Sequence, residues 1–189
     1  MSTTLKEMKA LQVELGISFQ TSVNISIKQF MEVHFLEQLI KEINRSKLAH
    51  ISLCLEITES LFIEDIDYVL PLLQKIRDMG LHISMDDFGT GYSSLSILRK
   101  LPIDELKIDK SFVDTILNDM TAEKMIQNII TIGKNFDLYI LAEGVETKEQ
   151  EAVLKSLGCD RFQGYLYAKP LRYDALKEFF EQKHPEMNS

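Results

Sequence analysis

The sequence predicts an α/β fold, a TIM-type (β/α) barrel that is incomplete, with about six of the usual eight strands present. Three observations predict it. The hydrophobic period switches repeatedly between about 3.6 and 2, the mark of alternating helices and strands. Six strand-then-helix units follow one another with no Pro- or Gly-rich linker, and such units require parallel strands joined by right-handed crossovers. Each strand also ends in, or just before, a residue able to bind metal or phosphate. A barrel gathers the C-terminal ends of its strands on one face, whereas an open doubly wound sheet spreads them across its width.

The elements follow in order. Thr4 and Glu7 have the spacing of a capping box, and Met8, Leu11 and Leu15 continue one helical face up to Gly16 as a stop. Residues 19–26 alternate, Phe19, Thr21, Val23 and Ile25 opposite Gln20, Ser22, Asn24 and Ser26, and a helix runs through Val33, Leu36, Leu39, Ile40 and Ile43. Residues 51–58 repeat the strand pattern. The next helix carries Val69, Leu73 and Ile76 to Gly80; Asp67 as N-cap puts Pro71 in the first turn, where its missing N–H has no intrahelical partner to lose. Further strands are expected at 81–87, 105–109, 138–143 and 161–168. Helices are expected near 94–100, 121–135 and 147–157, the last opened by a Thr147/Gln150 capping box, and a final helix around 174–182.

With 189 residues, 45% hydrophobic and 26% charged, the composition is that of a globular protein and one domain is the default count. The formal net charge of -8 argues against a protein that coats duplex DNA, whose phosphates need Lys and Arg. It leaves room for a small phosphorylated ligand held through cations. No apolar stretch is long enough to span a membrane, and residues 1–6 lack the apolar run of a signal peptide. Cys54 and Cys159 form no CxxC pair, and a reduced cytoplasmic compartment is expected.

The strand tips carry Asn24, then Glu56, then Asp86 and Asp87, then Lys107 and Asp109, then Glu143, then Gln163. Carboxylates converging with an amide repel one another and lose solvation unless cations join them. All-oxygen ligands suit Mg²⁺, Mn²⁺ or Ca²⁺, and the four histidines form no ligand pair. Two such cations activate water and clamp an in-line displacement at phosphorus. Lys107 can neutralise the phosphate or orient the attacking water. Metal-dependent phosphoester hydrolysis is the chemistry these types spell. Taken alone, any one carboxylate at a strand end is more often a helix N-cap or an ion-pair member. Asp86 and Asp87 would point to opposite faces of a strand, so both can be ligands only where strand gives way to loop, at Phe88-Gly89-Thr90-Gly91. Gly89-Thr90-Gly91 is a weak dinucleotide signal, since position 94 is Ser. Met125, Ile129 and Ile132 form a core stripe.

Six motifs now stand in order: Val23-Asn24-Ile25-Ser26, Glu56-Ile57-Thr58-Glu59-Ser60, the run from Asp86-Asp87-Phe88-Gly89 through Leu95, Leu106-Lys107-Ile108-Asp109, Ala142-Glu143-Gly144-Val145-Glu146-Thr147 and Gln163-Gly164-Tyr165-Leu166. From Gly16 to Pro170 the chain resembles EAL domains, bacterial phosphodiesterases that open cyclic di-GMP to linear pGpG with Mg²⁺ or Mn²⁺ in a modified TIM barrel. The resemblance implies metal ligands at Asn24, Glu56, Asp86 and Asp87, and a two-metal site in the complete domain. It places Lys107 at the catalytic water, Glu143 at the metal site or as base, and Glu56 among the catalytic groups. Gln163 and Asp109 fall near the substrate, and Glu59 matches the anchor of the loop after Asp86-Asp87.

One departure stands out. The Glu-Ala-Leu signature, whose Glu is a metal ligand on an early strand, is absent, and Asp174-Ala175-Leu176 lies too late in the order to replace it. The expectation is a single partial EAL domain over 1–189 that lacks the first strands, and whose catalysis is weakened by a missing ligand. A catalytically inactive cyclic di-GMP-binding or interaction module is the alternative. Open edges on the first and sixth strands imply that the chain self-associates, as a homodimer or otherwise, or is rearranged or unstable as a monomer.

Overall fold

The computed structural model describes residues 2–61, 65–89 and 95–183. Six strands form one sheet: β1 (Thr21–Asn24), β2 (Leu53–Thr58), β3 (His82–Phe88), β4 (Glu105–Ile108), β5 (Tyr139–Ala142) and β6 (Arg161–Phe162). Every neighbouring pair is parallel, and the strands stand side by side in chain order. A doubly wound sheet must reverse its strand order at a switch point. This one never does, so each crossover adds a strand on the same side, and the sheet is a curled half-barrel, an incomplete TIM-type barrel.

Helices supply the crossovers. α1 (Ser2–Leu15) precedes β1; α2 (Ile27–Phe30) and α3 (Phe35–Ser46) lead to β2; α4 (Ile66–Asp78) leads to β3; α5 (Leu95–Leu98) to β4. α6 (Lys110–Thr115) and α7 (Met120–Asn135) lead to β5, α8 (Lys148–Ser156) to β6, and α9 (Tyr173–Lys183) follows. Alternation sorts the two faces of the sheet. Leu53, Leu55 and Ile57 of β2, Ile83 and Met85 of β3, and Leu106 and Ile108 of β4 are buried in one core with Leu39, Val69, Leu73, Ile126 and Ile129 of the helices. The opposite, concave face is polar: Ser22, Cys54, Glu56, Ser84, Asp86, Glu105 and Lys107. There Ser84 Oγ donates to Glu105 Oε1 at 2.9 Å, and Arg161 donates to Glu105 Oε2 at 2.6 Å while lying 4.4 Å over the Tyr139 ring. At the far side, Phe180 of α9 stacks on Phe19 at 5.1 Å and Lys177 meets Glu14 at 2.8 Å, joining the last helix to the first.

Several expected boundaries move. α1 opens at Ser2, so Thr4 lies inside the helix and does not cap it. The second helix divides, because Ser26 and Gln29 form a full capping box that starts the short α2. Asp65, whose carboxylate accepts from Tyr68 N at 3.1 Å, caps α4 in place of Asp67, and Pro71 therefore sits within the helix, past its first turn. The Thr147/Gln150 box does open α8. The sixth strand stops after two residues because the chain turns at Gly164, whose carbonyl accepts from Tyr167 N. Ser94 and the Thr90–Gly91 part of the glycine motif lie outside the described residues. Among the described residues no helix is long and apolar enough to cross a membrane.

Candidate functional site

The centre of the concave face is Lys107. Alternation in β4 sends Leu106 and Ile108 into the core and Lys107 to the other side, where it is 1% exposed. An ammonium buried this deeply is tolerated only with counter-charge, and three strands provide it. Nζ lies 2.6 Å from Glu143 Oε1, 3.0 Å from Glu56 Oε2 and 3.2 Å from Asp86 Oδ1. Burial alone would lower the Lys107 pKa, but the hydrogen bond to Glu143 and the charges of Glu56, Glu143 and Asp86 outweigh it and hold the pKa above the ordinary lysine value. Glu143 stands just past β5, where its N–H donates to Ile108 O at 3.1 Å and ties it to the tip of β4. Burial raises the Glu143 carboxyl; Lys107 works against that, and Asp86 and Glu56 add to it.

Asp86 and Asp87 reach one mouth by a route the alternation rule does not contain. β3 runs on through both, but its pairing with β4 shifts register between Met85 and Phe88, and Asp87 has φ 58, in the left-handed region. A bulge of this kind re-aims side chains, and the expected change from strand to loop is not needed. Asp87 N donates to Asp86 Oδ1 at 3.1 Å. Burial, then the charges of Asp86 and Asp109, raise the Asp87 carboxyl.

Asp86, Asp87 and Glu143 each offer a carboxylate oxygen within 4.8 Å of the others. Four carboxylates against one ammonium leave an excess of negative charge, which adds to burial in raising the Asp87 and Glu143 carboxyls. An all-oxygen donor set under such repulsion fits a hard divalent cation.

The other expected residues fall as follows. Asn24 pairs in register with Glu56, so the two leave the sheet on the same face, and Asn24 is exposed. Asp109 is the N-cap of α6, accepting from Ser111 N at 3.0 Å and from Ser111 Oγ, and it helps to raise the nearby Asp87 carboxyl. Glu59 is buried just beyond β2. Gln163 joins Glu143 in the wall of a cavity of about 250 Å³, together with Lys110, Gly144, Glu146, Gly164 and Tyr165. Lys110, Glu146 and Tyr165 were given no role by the strand-tip rule, because they sit one to three residues beyond the tips; distance in sequence from Lys107, Glu143 and Gln163 is the signal that finds them.

Comparison with known proteins identifies the family. A profile of the EAL domain family matches residues 1–170. Cyclic di-GMP phosphodiesterase NbdA of Pseudomonas aeruginosa is 36% identical over 174 residues, which is 92% of this chain and 22% of NbdA. The bifunctional diguanylate cyclase/cyclic di-GMP phosphodiesterase MucR of the same species is 39% identical over 82% of this chain and 23% of its own. This chain thus spans less than a quarter of the length of either relative. Among solved structures, the PaMucR phosphodiesterase in complex with c-di-GMP superposes with a TM-score of 0.88 at 35% identity, covering 93% of this chain and 71% of that one. Klebsiella pneumoniae BlrP1, solved with manganese and cyclic di-GMP, gives 0.77 at 28% identity, over 86% of this chain and 42% of its own. With its parallel half-barrel and a profile match over nearly its whole length, the chain belongs to the EAL domain family.

Proposed function

We propose that this chain, as a single partial EAL domain, carries the catalytic face of a phosphodiesterase that hydrolyses cyclic di-GMP to linear pGpG with Mg²⁺ or Mn²⁺. The observation that supports this best is the gathering of Glu56, Asp86 and Glu143, from three separate strand tips, on the one buried ammonium of Lys107, with Asp87 alongside. Asp86, Asp87 and Glu143 would hold the cations, with Glu56 and Asn24 completing the set. Bound there, divalent cations supply an activated water and neutralise charge on the phosphate. Lys107 keeps the carboxylates in register and places its ammonium beside the attacking water. Glu143, its carboxyl raised by burial, would serve at the metal site or as the base that takes a proton from the attacking water; as the water oxygen bonds to phosphorus the P–O3′ bond breaks, and O3′ leaves with a proton from solvent as the free hydroxyl. Gln163 and Asp109 flank the substrate, and Glu59, buried just beyond β2, serves as anchor for the loop that follows Asp86-Asp87. The ligand is a bacterial second messenger, and two free, buried cysteines suit a reducing cytoplasm.

No Glu-Ala-Leu stands among these 189 residues, so assayed by themselves they supply one carboxylate fewer than the family's set, and slow turnover is the expected result. That same absence favours a second reading, a cyclic di-GMP receptor without turnover. Incubation of the chain with cyclic di-GMP and Mn²⁺, followed by chromatography of the nucleotides, separates the two. Slow pGpG formation that Glu56→Ala abolishes supports the phosphodiesterase; saturable binding with no product supports the receptor; neither binding nor product overturns both.

A further inference from the structure

Outside the carboxylate cluster, one cation is placed with unusual care. Lys110 is the first residue of α6, and its stem lies across the backbone of Gly144. A Cβ added to Gly144 would stand 2.3 Å from Lys110 Cγ and 2.7 Å from Cδ. Gly144 has φ 69, a left-handed conformation, so glycine serves both the turn and the close approach. Beyond Gly144 the ammonium reaches Glu146 Oε1 at 2.6 Å and Asp114 Oδ1 of its own helix at 3.0 Å. One side chain therefore crosses the loop that begins at Glu143 and grips its far end.

We propose that Lys110 is a positioning residue for Glu143: lying over Gly144 and bound to Glu146, it fixes the Glu143–Glu146 loop against the start of α6 and so sets where the Glu143 carboxylate stands. The inference rests on the part given to Glu143 in the metal site above. The Lys110 side chain is 47% exposed and the Glu146 side chain 45%. Exposed ion pairs add little to stability, and the value of this one lies in placement.

The sign of a metal-binding measurement tests it. A lysine acting only as a nearby positive charge repels cations, and removing it tightens Mn²⁺ binding. A lysine that places a ligand does the reverse. Calorimetric titration of the full chain with Mn²⁺ alone is expected to show Lys110→Met binding about tenfold more weakly, the loss usual for groups that orient metal ligands. Lys110→Arg, which keeps both stem and charge, is expected to stay near the unsubstituted chain, and thermal melts of both variants to stay close to it. Unchanged or tighter binding by Lys110→Met overturns the proposal, as does an Lys110→Arg affinity as low as that of Lys110→Met. Glu143→Gln serves as the reference: if it leaves Mn²⁺ affinity untouched, Glu143 is no part of the metal site, and both readings fall through the site and not through the latch.

Discussion

Lys107 and its three partners form a charge balance that cations are built to enter. Lys107→Met keeps most of the stem and removes the ammonium, leaving Glu56, Asp86 and Glu143 to face one another without their shared counter-charge. Breaking a buried pair in this way costs about 3 kcal/mol. Urea titrations in chelator are expected to show that loss, and excess Mn²⁺ to recover part of it by taking the place of the ammonium. Equal destabilisation with and without the metal would mean that the carboxylates do not bind it. The thiols behave oppositely, since burial outweighs the few hydrogen bonds that favour their charged form. Burial, with the charges of Glu105 and Glu56, pushes Cys54 up to about 12, and burial pushes Cys159 up to about 11. Both stay protonated in the fold, and the thiolate is the reactive form. Ellman's reagent at pH 8 is therefore expected to find no thiol in the native chain and both in guanidinium. Because the folded thiols hold their protons above the ordinary value of 9.0, their contribution to stability is whole below about pH 9 and is lost as the pH climbs toward 12. Replacing both by Ala should flatten the alkaline limb of the stability curve. Lys107 and Glu56 were readable from sequence for one reason: a charged residue between Leu106 and Ile108, or between Leu55 and Ile57, needs a polar face to occupy. The left-handed turn at Asp87 was not, because a bulge is a backbone event that side-chain alternation does not record.

Elements bring these residues together, and the closest approach between them is at the tips of β5 and β6. Gly164 lies so near Val145 that an added Cβ would stand 2.1 Å from the Val145 carbonyl oxygen and 2.3 Å from its nitrogen. Val145 N donates to Gln163 O at 2.9 Å and Leu166 N to Val145 O at 3.0 Å, so the two segments are laced on both sides of the glycine. Backbone cannot swing aside as a flexible side chain can. Gly164→Ala is expected to cost about 2 kcal/mol, in the range of an overpacked core, and to weaken cyclic di-GMP binding by carrying Gln163 away from Glu143. A thermal melt near that of the unsubstituted chain would contradict the close packing. The same glycine explains why β6 was read too long: hydrophobic residues at Phe162, Leu166 and Ala168 suggest a strand, but the chain turns where Gly164 permits. α6 escaped notice for a different reason, its six residues being too few to display a helical period. Long periodic segments such as α7 declared themselves, and so did α8 through the paired side chains of its cap.

At the scale of the whole molecule, the half-barrel raises a question of edges. Among the described residues β1 pairs only with β2, and β6 only with β5, so neither has a second neighbouring strand. Natural sheets rarely leave such edges bare. The concave wall between them holds Arg161 with its side chain 43% exposed and Tyr139 53% exposed, polar groups standing where a closed barrel packs its interior. α9 meets α1 and the segment after it on the outside, through Lys177 on Glu14 and Phe180 on Phe19, but no residue of α9 is buried. For these 189 residues taken alone, such edges make pairing between copies the expected outcome. Light scattering behind size exclusion is expected to give a mass above the 21.8 kDa of one chain, falling toward it on dilution. Since association then contributes to folding, the melting temperature should rise with protein concentration. A single mass of one chain and a concentration-independent melt would mean that the edges of β1 and β6 do not drive pairing between copies.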